Sequence, residues 1–243
     1  MNKPSIMTPQ DRRHQRALAI IKRWRLMDDA FMKRCLKDNI PAVECILRII
    51  MEKPNLQVKT VQIEDTIPNL LGHGIRMDVH AVDAEGTEYD IEVQRSDKGA
   101  DTKRARFNSS LLDLKRLPKG STYESLPESY VIFIMEHDVW NHGLARYHVN
   151  RFIEELQQRF EDGEHILSYQ GSDAIGELMN DFRCDTAEDM KLDALKEVVY
   201  RYKNNPEEVA IMCEELEKWS LEERKEGEDR FSSLLKLLKA DNR

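Results

Sequence analysis

The sequence has 243 residues, with 37 Lys and Arg against 45 Asp and Glu, and a formal net charge of -8. Hydrophobic residues make up 40%, which excludes a disordered chain, and the apolar runs are far shorter than the roughly 20 residues of a membrane span. The 4 cysteines stand far apart without a C-x-x-C pair, so we expect no zinc knuckle, and reduced thiols in a cytoplasmic protein.

The charge is distributed unevenly along the chain. Residues 1–60 carry 13 Lys and Arg against 6 Asp and Glu (net +7), residues 61–150 carry 10 against 15 (net -5), and residues 151–243 carry 14 against 24 (net -10). Residues 98–119 are locally basic within the acidic middle segment. Two basic stretches therefore flank an acidic patch. We expect any DNA contact on residues 1–60 and 95–119, with the acidic tail facing away.

The first third of the chain predicts helices followed by a strand. Residues 12–37 are charged and prone to form a helix, with apolar anchors at intervals. Asn39 and Pro41 are a cap and a first-turn proline, which predicts a second helix that stops before Pro54. The apolar period then changes, and residues 56–63 predict a strand.

The middle of the chain predicts a β-hairpin, a helix and a buried strand. Two β-like runs, 75–82 and 87–94, are separated by four residues that include Asp83 and Gly86, a composition typical of hairpin turns. A helix should follow at 100–116, and the continuous apolar run 130–135 predicts a fully buried strand.

The last part of the chain predicts helices, over residues 149–160, 187–202 and 207–219. The order of elements indicates a mixed α/β core over roughly residues 30–150. We therefore expect a core domain with a helical N-terminal segment at 1–150, and a helical C-terminal region at 151–243.

The hairpin carries the most informative set of side chains. If Val82 opposes Glu88, Asp78 opposes Glu92, and strand alternation places Asp90 and Gln94 on the same face as Glu92. Two carboxylates that meet there repel each other unless a cation is present, and Mg²⁺ binds such hard oxygen ligands. A bound Mg²⁺ can polarise a phosphoryl oxygen and activate water. The alternative is that these acids are ordinary strand residues that face solvent.

Neighbouring residues strengthen the functional interpretation. Glu44, on the preceding helix, is a candidate third acid, although an exposed helix position is an equal alternative. His80 shares the strand face of Asp78 and is the best placed of the 7 histidines to contact the site. The helix after the hairpin offers side chains for phosphates, namely Lys103, Arg104 and Arg106.

The segment from Gly74 to Asp113, GIRMDVHAVDAEGTEYDIEVQRSDKGADTKRARFNSSLLD, resembles the PD-(D/E)xK nuclease-family transposases of the recombination-promoting type. The resemblance extends through LPESYVIFI and residues 143–153 to residues 173–184 and the charged tail, and so covers most of the chain. It implies a restriction-endonuclease-like α/β core, a mixed central sheet flanked by helices, with a helical C-terminal extension. It also implies Mg²⁺-dependent cleavage of DNA.

The resemblance assigns roles to individual positions. Asp78 matches the motif aspartate and Glu92 the acid that follows, Glu44 matches the acid of the preceding helix, and the main-chain carbonyl of Val93 would be a further metal ligand. Gln94 takes the place of the motif lysine. Glutamine can orient a water molecule through its amide but carries no charge, which favours a mechanism that depends on the metal. Arg76 and Arg95 are expected to face DNA or to be structural.

We therefore expect a Mg²⁺- or Mn²⁺-dependent DNA endonuclease with little sequence specificity, which leaves 5′-phosphate ends and supports DNA mobility or recombination. The uncharged Gln94 keeps a second function open, a non-cleaving DNA-binding or regulatory protein on the same fold. A third interpretation is a helical interaction module with an α/β scaffold. The expected partner is DNA and not a membrane, and cutting of both strands with one site per chain would favour a homodimer.

Overall fold

The computed structural model describes residues 8–67, 75–95, 102–138, 140–169, 174–218 and 221. The chain divides into two units. The larger unit runs from Arg25 to Val199, and the smaller combines the residues up to Trp24 with those from Tyr200 onward. Among the helices of the described residues, none has the length and apolar character needed to cross a membrane.

The larger unit is built on a six-stranded mixed sheet with the order β1-β2-β3-β4-β8-β5. β1, β2 and β3 are antiparallel neighbours, β3, β4 and β8 run parallel, and β5 is antiparallel to β8. A separate two-stranded ribbon joins β6 and β7. In chain order the strands are β1 (Val58–Ile67), β2 (Ile75–Asp83), β3 (Glu88–Gln94), β4 (Ser129–Met135), β5 (Arg146–Val149), β6 (Phe152–Ile153), β7 (Gln158–Arg159) and β8 (Glu164–Tyr169).

The helices begin where the sequence supplies caps. Asn39 caps α3, because its Oδ1 accepts a hydrogen bond from the Ala42 amide at 3.2 Å, and Pro41 lies in the first turn as predicted. The helix predicted over 12–37 is two helices, since Trp24 adopts an extended conformation. The helices are α1 (Pro9–Arg23), α2 (Asp29–Leu36), α3 (Ile40–Ile50), α4 (Thr102–Arg116), α5 (Ala174–Arg183), α6 (Asp193–Asn204) and α7 (206–218), with a 3₁₀ turn at Tyr123–Ser125.

Helices flank the sheet and complete the core. α2 and α3 contact β1, whereas α4 contacts β4. α3 buries one apolar stripe, and α4 packs through Ala105, Leu111 and Leu112 against apolar side chains of β2 and β4. The predicted mixed α/β core is confirmed. The sheet continues past the expected division at residue 150, because β8 pairs with β4.

The helix predicted over residues 149–160 is wrong. Phe152, Leu156 and Phe160 have helical spacing, but their exposures of 52%, 61% and 52% show that no described residues cover this apolar set. Instead the segment makes the β6–β7 ribbon, with Gln157 in the left-handed region at a φ of 52°. Strand β8, which the sequence analysis did not predict, begins directly afterwards.

The smaller unit contains α1, the end of α6, and α7. Thr8 and Asp11 form a reciprocal capping box at the start of α1. His14 on α1 lies 3.6 Å from Glu217 on α7, and Lys203 Nζ donates to the Lys22 carbonyl at 3.1 Å. The predicted helix over 207–219 is confirmed for its described part, 206–218; Trp219 lies outside the described residues.

Candidate active site

Asp83 builds the turn that positions β2 against β3. Its Oδ1 accepts hydrogen bonds from the amides of Glu85 and Thr87 at 3.0 and 2.9 Å, and its Oδ2 accepts one from the Tyr89 hydroxyl at 2.8 Å. Gly86 adopts a φ of 92°, which side chains other than glycine rarely tolerate. The short turn, with its aspartate and its glycine, therefore sets the register of the two strands.

The predicted register is confirmed, since Val82 pairs with Glu88 and the ladder continues to Val79 and Ile91. Asp78 lies one residue beyond this last pair. On its other side, the β1–β2 pairing passes from Ile63–Val79 to Asp65–Met77, and Glu64, between them in the chain, has a φ of 56°. Asp78 therefore lies where the regular ladders on both sides of β2 are interrupted.

The Asp78 carboxylate is largely enclosed, with a side-chain exposure of 14%. Its Oδ2 accepts a hydrogen bond from the Val93 amide at 3.4 Å, and its Oδ1 lies 3.4 Å from Lys33 Nζ. Burial raises the pKa of Asp78, while the Lys33 charge opposes that rise. The structure thus brings Asp78 to the segment that carries Glu92 and Val93, as the sequence analysis expected.

Glu92 is fully buried on β3. Its Oε2 pairs with the Arg104 guanidinium from α4, and its Oε1 lies 3.5 Å from Asn108 Nδ2. Burial, and next the charge of Asp78, raise the pKa of Glu92 to about 7, against the opposing charge of Arg104. The Asp78 carboxylate reaches the Val93 amide, next to Glu92 in the chain, and the interpretation of these acids as residues that face solvent is wrong.

Asp90 is a further buried acid, which the sequence analysis placed on this strand face but did not assign to the site. It is 0% exposed, and its Oδ2 accepts a hydrogen bond from Asn108 Nδ2 at 3.1 Å. Among the described residues, Oδ1 has no hydrogen-bond partner. Burial, followed by the charge of Glu92, raises the pKa of Asp90 well above its ordinary value. The sequence signal that points to Asp90 is strand alternation, which places it on the same face as Glu92.

Lys33 is a site residue that the sequence analysis missed. Its Nζ lies 3.4 Å from Asp78 Oδ1, 3.2 Å from Glu64 Oε1 and 2.7 Å from Asp29 Oδ1. Burial lowers the pKa of Lys33, but the hydrogen bond to Asp29 and the charge of Asp78 outweigh it, so that the pKa is raised. Lys33 is therefore a cation at neutral pH.

Gln94 and Glu44 are two further predicted site residues, and their contacts differ from those of Asp78 and Glu92. Gln94 is the last residue of β3, half-buried, and its carbonyl accepts a hydrogen bond from the Glu136 amide at 3.0 Å. Both carboxylate oxygens of Glu44 have other partners, because Oε2 accepts from the Val58 amide at 2.9 Å and Oε1 lies 2.6 Å from Arg48. These contacts join α3 to the start of β1, and they differ from the partners of Asp78 and Glu92.

Most of the predicted DNA-binding side chains are exposed, and one of them pairs with a site acid. Lys103 and Arg106 are exposed on α4, and Arg76 is 63% exposed, 3.6 Å from Glu64. Arg104 instead turns onto Glu92 and lies 6.0 Å from the centre of the Phe133 ring. Arg95, 60% exposed, lies 2.5 Å from Asp28.

His80 contacts a different cluster of polar residues. Its Nδ1 lies 2.8 Å from Asp65 Oδ2, and its Nε2 lies 2.9 Å from Glu88 Oε2. Lys115 and Arg116 from the end of α4 pair with Asp65 and Glu88 respectively. The structure therefore gives His80 two carboxylate partners, neither of which is Asp78.

The donor set suits a hard divalent cation. Within the part of the chain that the structure describes, no group of three or more His, Cys, Asp or Glu side chains is arranged to hold a metal ion. Mg²⁺ keeps several waters and commonly takes only one or two carboxylates from the protein. Asp78 and Glu92 supply that number of carboxylates, and Asp78 Oδ2 lies 3.4 Å from the amide of Val93, next to Glu92.

The comparison with protein families agrees with this geometry. The family model of the PD-(D/E)XK nuclease family transposase matches residues 43–167. The chain belongs to the PD-(D/E)XK nuclease family transposases. No curated protein and no solved structure matches it. The six-stranded sheet with its flanking helices is consistent with the restriction-endonuclease-like fold of this family.

The segment matched by the PD-(D/E)XK family contains every acid considered above for the site, from Glu44 to Glu92. It also contains Gln94, which the resemblance places at the motif lysine. Lys33 precedes the matched segment, on α2, and its contact with Asp78 is visible only in three dimensions.

Proposed function

We propose that this PD-(D/E)XK protein is a metal-dependent DNA endonuclease that hydrolyses phosphodiester bonds in support of DNA mobility or recombination. The observation that carries the proposal is the approach of the largely enclosed Asp78 carboxylate to the Val93 amide, next to the buried carboxylate of Glu92. Repelling acids that are kept together in a protein interior destabilise the fold, and such arrangements are concentrated at functional sites.

In this proposal Asp78, Glu92 and the Val93 carbonyl hold Mg²⁺ or Mn²⁺. The bound metal supplies Lewis-acid chemistry toward the phosphate. Arg104 orients the Glu92 carboxylate through their ion pair, and Asn108 shares its amide between Glu92 and Asp90. The Gln94 amide, which can both donate and accept, orients the attacking water. Glu92 and Asp90 are buried and Asp78 is 14% exposed, so bulk water is largely excluded from these acids.

The DNA backbone is proposed to run along the exposed cationic side chains next to the acids. Lys103 and Arg106 project from α4, the helix that carries Arg104 onto Glu92. Arg76 lies two residues before Asp78 on β2 and is 63% exposed. Contacts of this kind neutralise phosphates without reading the base sequence, which supports cleavage with little sequence specificity.

One observation supports a second candidate function, a DNA-binding or regulatory protein that does not cleave. Asp78 has Lys33 beside it and Glu92 has Arg104, so each acid already has a cation from the protein. With the uncharged Gln94, such a site could be held together without a metal. This function predicts salt-sensitive DNA binding and no binding of Mg²⁺ or Mn²⁺ in calorimetry.

A plasmid-nicking assay with Mg²⁺, Mn²⁺ or EDTA separates the two functions. The parent should nick in either metal and not in EDTA, and Asp78→Asn should lower the rate at least about 100-fold, because one metal ligand contributes several kcal/mol of transition-state stabilisation. Calorimetry should show metal binding by the parent that Asp78→Asn loses. Asp189→Asn, at an exposed position, is the matched control and should leave both results unchanged. Equal nicking by Asp78→Asn and the parent would show that the site assignment is wrong.

A further inference from the structure

Lys33 is held in place by a short, well-packed helix. α2 buries Phe31, Met32, Cys35 and Leu36 completely, so its backbone is anchored in the core. The Lys33 side chain is only 12% exposed, and its ammonium group contacts Asp78 at 3.4 Å. The enclosed Lys33 side chain therefore has few accessible rotamers, and its positive charge is fixed beside the Asp78 carboxylate.

The charges around the two acids show what Lys33 contributes. Arg104 lies against Glu92 and Lys33 lies against Asp78, so the two cations approach the pair from different helices, α4 and α2. Position 94, where the family motif has a lysine, carries an uncharged glutamine. The structure therefore places a lysine ammonium group beside Asp78, and this lysine, Lys33, lies outside the family motif in the sequence.

We propose that Lys33 supplies to the reaction the positive charge that the motif lysine would otherwise provide from position 94. This inference rests on the proposed endonuclease function. In the hydrolysis the water oxygen bonds to phosphorus and the bond from phosphorus to the 3′-oxygen breaks. The water gives one proton to solvent, and the 3′-oxygen takes one from solvent. Lys33 offsets the negative charge that develops on the phosphoryl oxygens and keeps Asp78 oriented.

A purely structural role for Lys33 is the competing explanation. Of its three carboxylate partners, Glu64 and Asp78 join α2 to β1 and β2, and Asp29 lies on α2 itself. An ion-pair network of this kind can stabilise a fold without any part in chemistry. The two roles differ in whether a second substitution can restore the activity that is lost with Lys33. A charge-supplying role can be restored by a lysine at position 94, whereas a structural link between α2 and the sheet cannot.

The test compares full-length Lys33→Gln, Lys33→Arg, Gln94→Lys and the double variant Lys33→Gln/Gln94→Lys in Mg²⁺-dependent plasmid nicking. Lys33→Gln should lower kcat about 100-fold, the typical loss for one transition-state donor, with KM changed less than about threefold. The double variant should recover at least about tenfold of that loss, and Lys33→Arg should retain part of the activity. Lys218→Gln, which removes the same charge at an exposed position, is the control.

Other outcomes of the nicking test would overturn the inference. Nicking by Lys33→Gln within about twofold of the parent overturns the inference, as does a loss that Gln94→Lys fails to restore. If Lys33→Gln does not fold, as judged by circular dichroism, Lys33→Met decides, because methionine is uncharged and suits a side chain that is only 12% exposed. A loss in kcat of at least about tenfold in folded Lys33→Met supports the inference, and nicking within about twofold of the parent overturns it. A parent that does not nick overturns the proposed function and this inference together.

Discussion

Asp78 Oδ2 accepts a hydrogen bond from the Val93 amide at 3.4 Å, one residue beyond the last regular pair of the β2–β3 ladder. This contact turns the Asp78 carboxylate toward the strand that carries Glu92. The consequence is electrostatic, because the charge of Asp78 contributes to the raised pKa of Glu92.

Replacement of Glu92 by glutamine should stabilise the metal-free protein at high pH. The pKa of Glu92 is raised from 4.5 to about 7, so that near pH 4 the side chain is protonated in both the folded and unfolded states. As the pH rises from 4.5 to 7, the unfolded state loses the proton first, and the free energy of unfolding falls. Above pH 7 the folded state bears the full cost of the charge, on the order of 3 kcal/mol.

Urea unfolding in EDTA, at pH 5 and at pH 8, measures this effect. The free energy of unfolding of Glu92→Gln, relative to the parent, should be higher at pH 8 than at pH 5. Glu85→Gln, at an exposed position of the hairpin turn, should show no such dependence. A difference between Glu92→Gln and the parent that is the same at both pH values would contradict the prediction.

Asp83→Ala should lower the free energy of unfolding by about 2–4 kcal/mol. The substitution removes the acceptor for the Thr87 amide and for the Tyr89 hydroxyl, both at buried residues, and an unsatisfied buried group costs about 1–3 kcal/mol. Urea unfolding of Asp83→Ala and of the control Glu85→Ala measures the loss. The control, in the same turn but exposed, should stay within about 0.5 kcal/mol of the parent. A loss below about 1 kcal/mol for Asp83→Ala would mean that the turn does not depend on these hydrogen bonds.

Removal of the exposed cations of α4 should weaken DNA binding uniformly across sequences. Lys103→Gln/Arg106→Gln deletes two candidate phosphate contacts, so the slope of log affinity against log salt should become less steep by about 2. Fluorescence anisotropy with two unrelated duplexes, at several salt concentrations, measures the slope. Lys191→Gln, at an exposed position of the connection between α5 and α6, is the control. An unchanged slope would place the DNA elsewhere on the protein.

The β-hairpin and its acids could be predicted from the sequence because their determinants are local. Asp83 at the end of β2, and Gly86 in the turn that follows, set the pairing of Val82 with Glu88. Once that pair is known, strand alternation places Asp90 on the same face as Glu92. Capping by Asn39 is equally local, and α3 begins where the sequence analysis expected it.

Other features depend on tertiary contacts that the sequence pattern does not contain. The i,i+4 spacing of Phe152, Leu156 and Phe160 is that of an amphipathic helix. Within the described part of the chain these side chains remain exposed, and the segment forms a short ribbon. In the sequence, Lys33 is one of several charges in a basic helical segment. Its contact with Asp78 arises because the fold packs α2 against β2. The partners of Glu44 likewise became known only from the position of the start of β1.

The position of α2 in the chain bears on how much of the protein the candidate site requires. The family match begins at residue 43, seven residues after α2 ends at Leu36. A chain shortened to residues 43–167 would retain Asp78, Glu92 and Arg104, but its two acids would have one neighbouring cation instead of two. Under the proposed function, we therefore expect the shortest active chain to begin upstream of the matched segment, at or before Asp29.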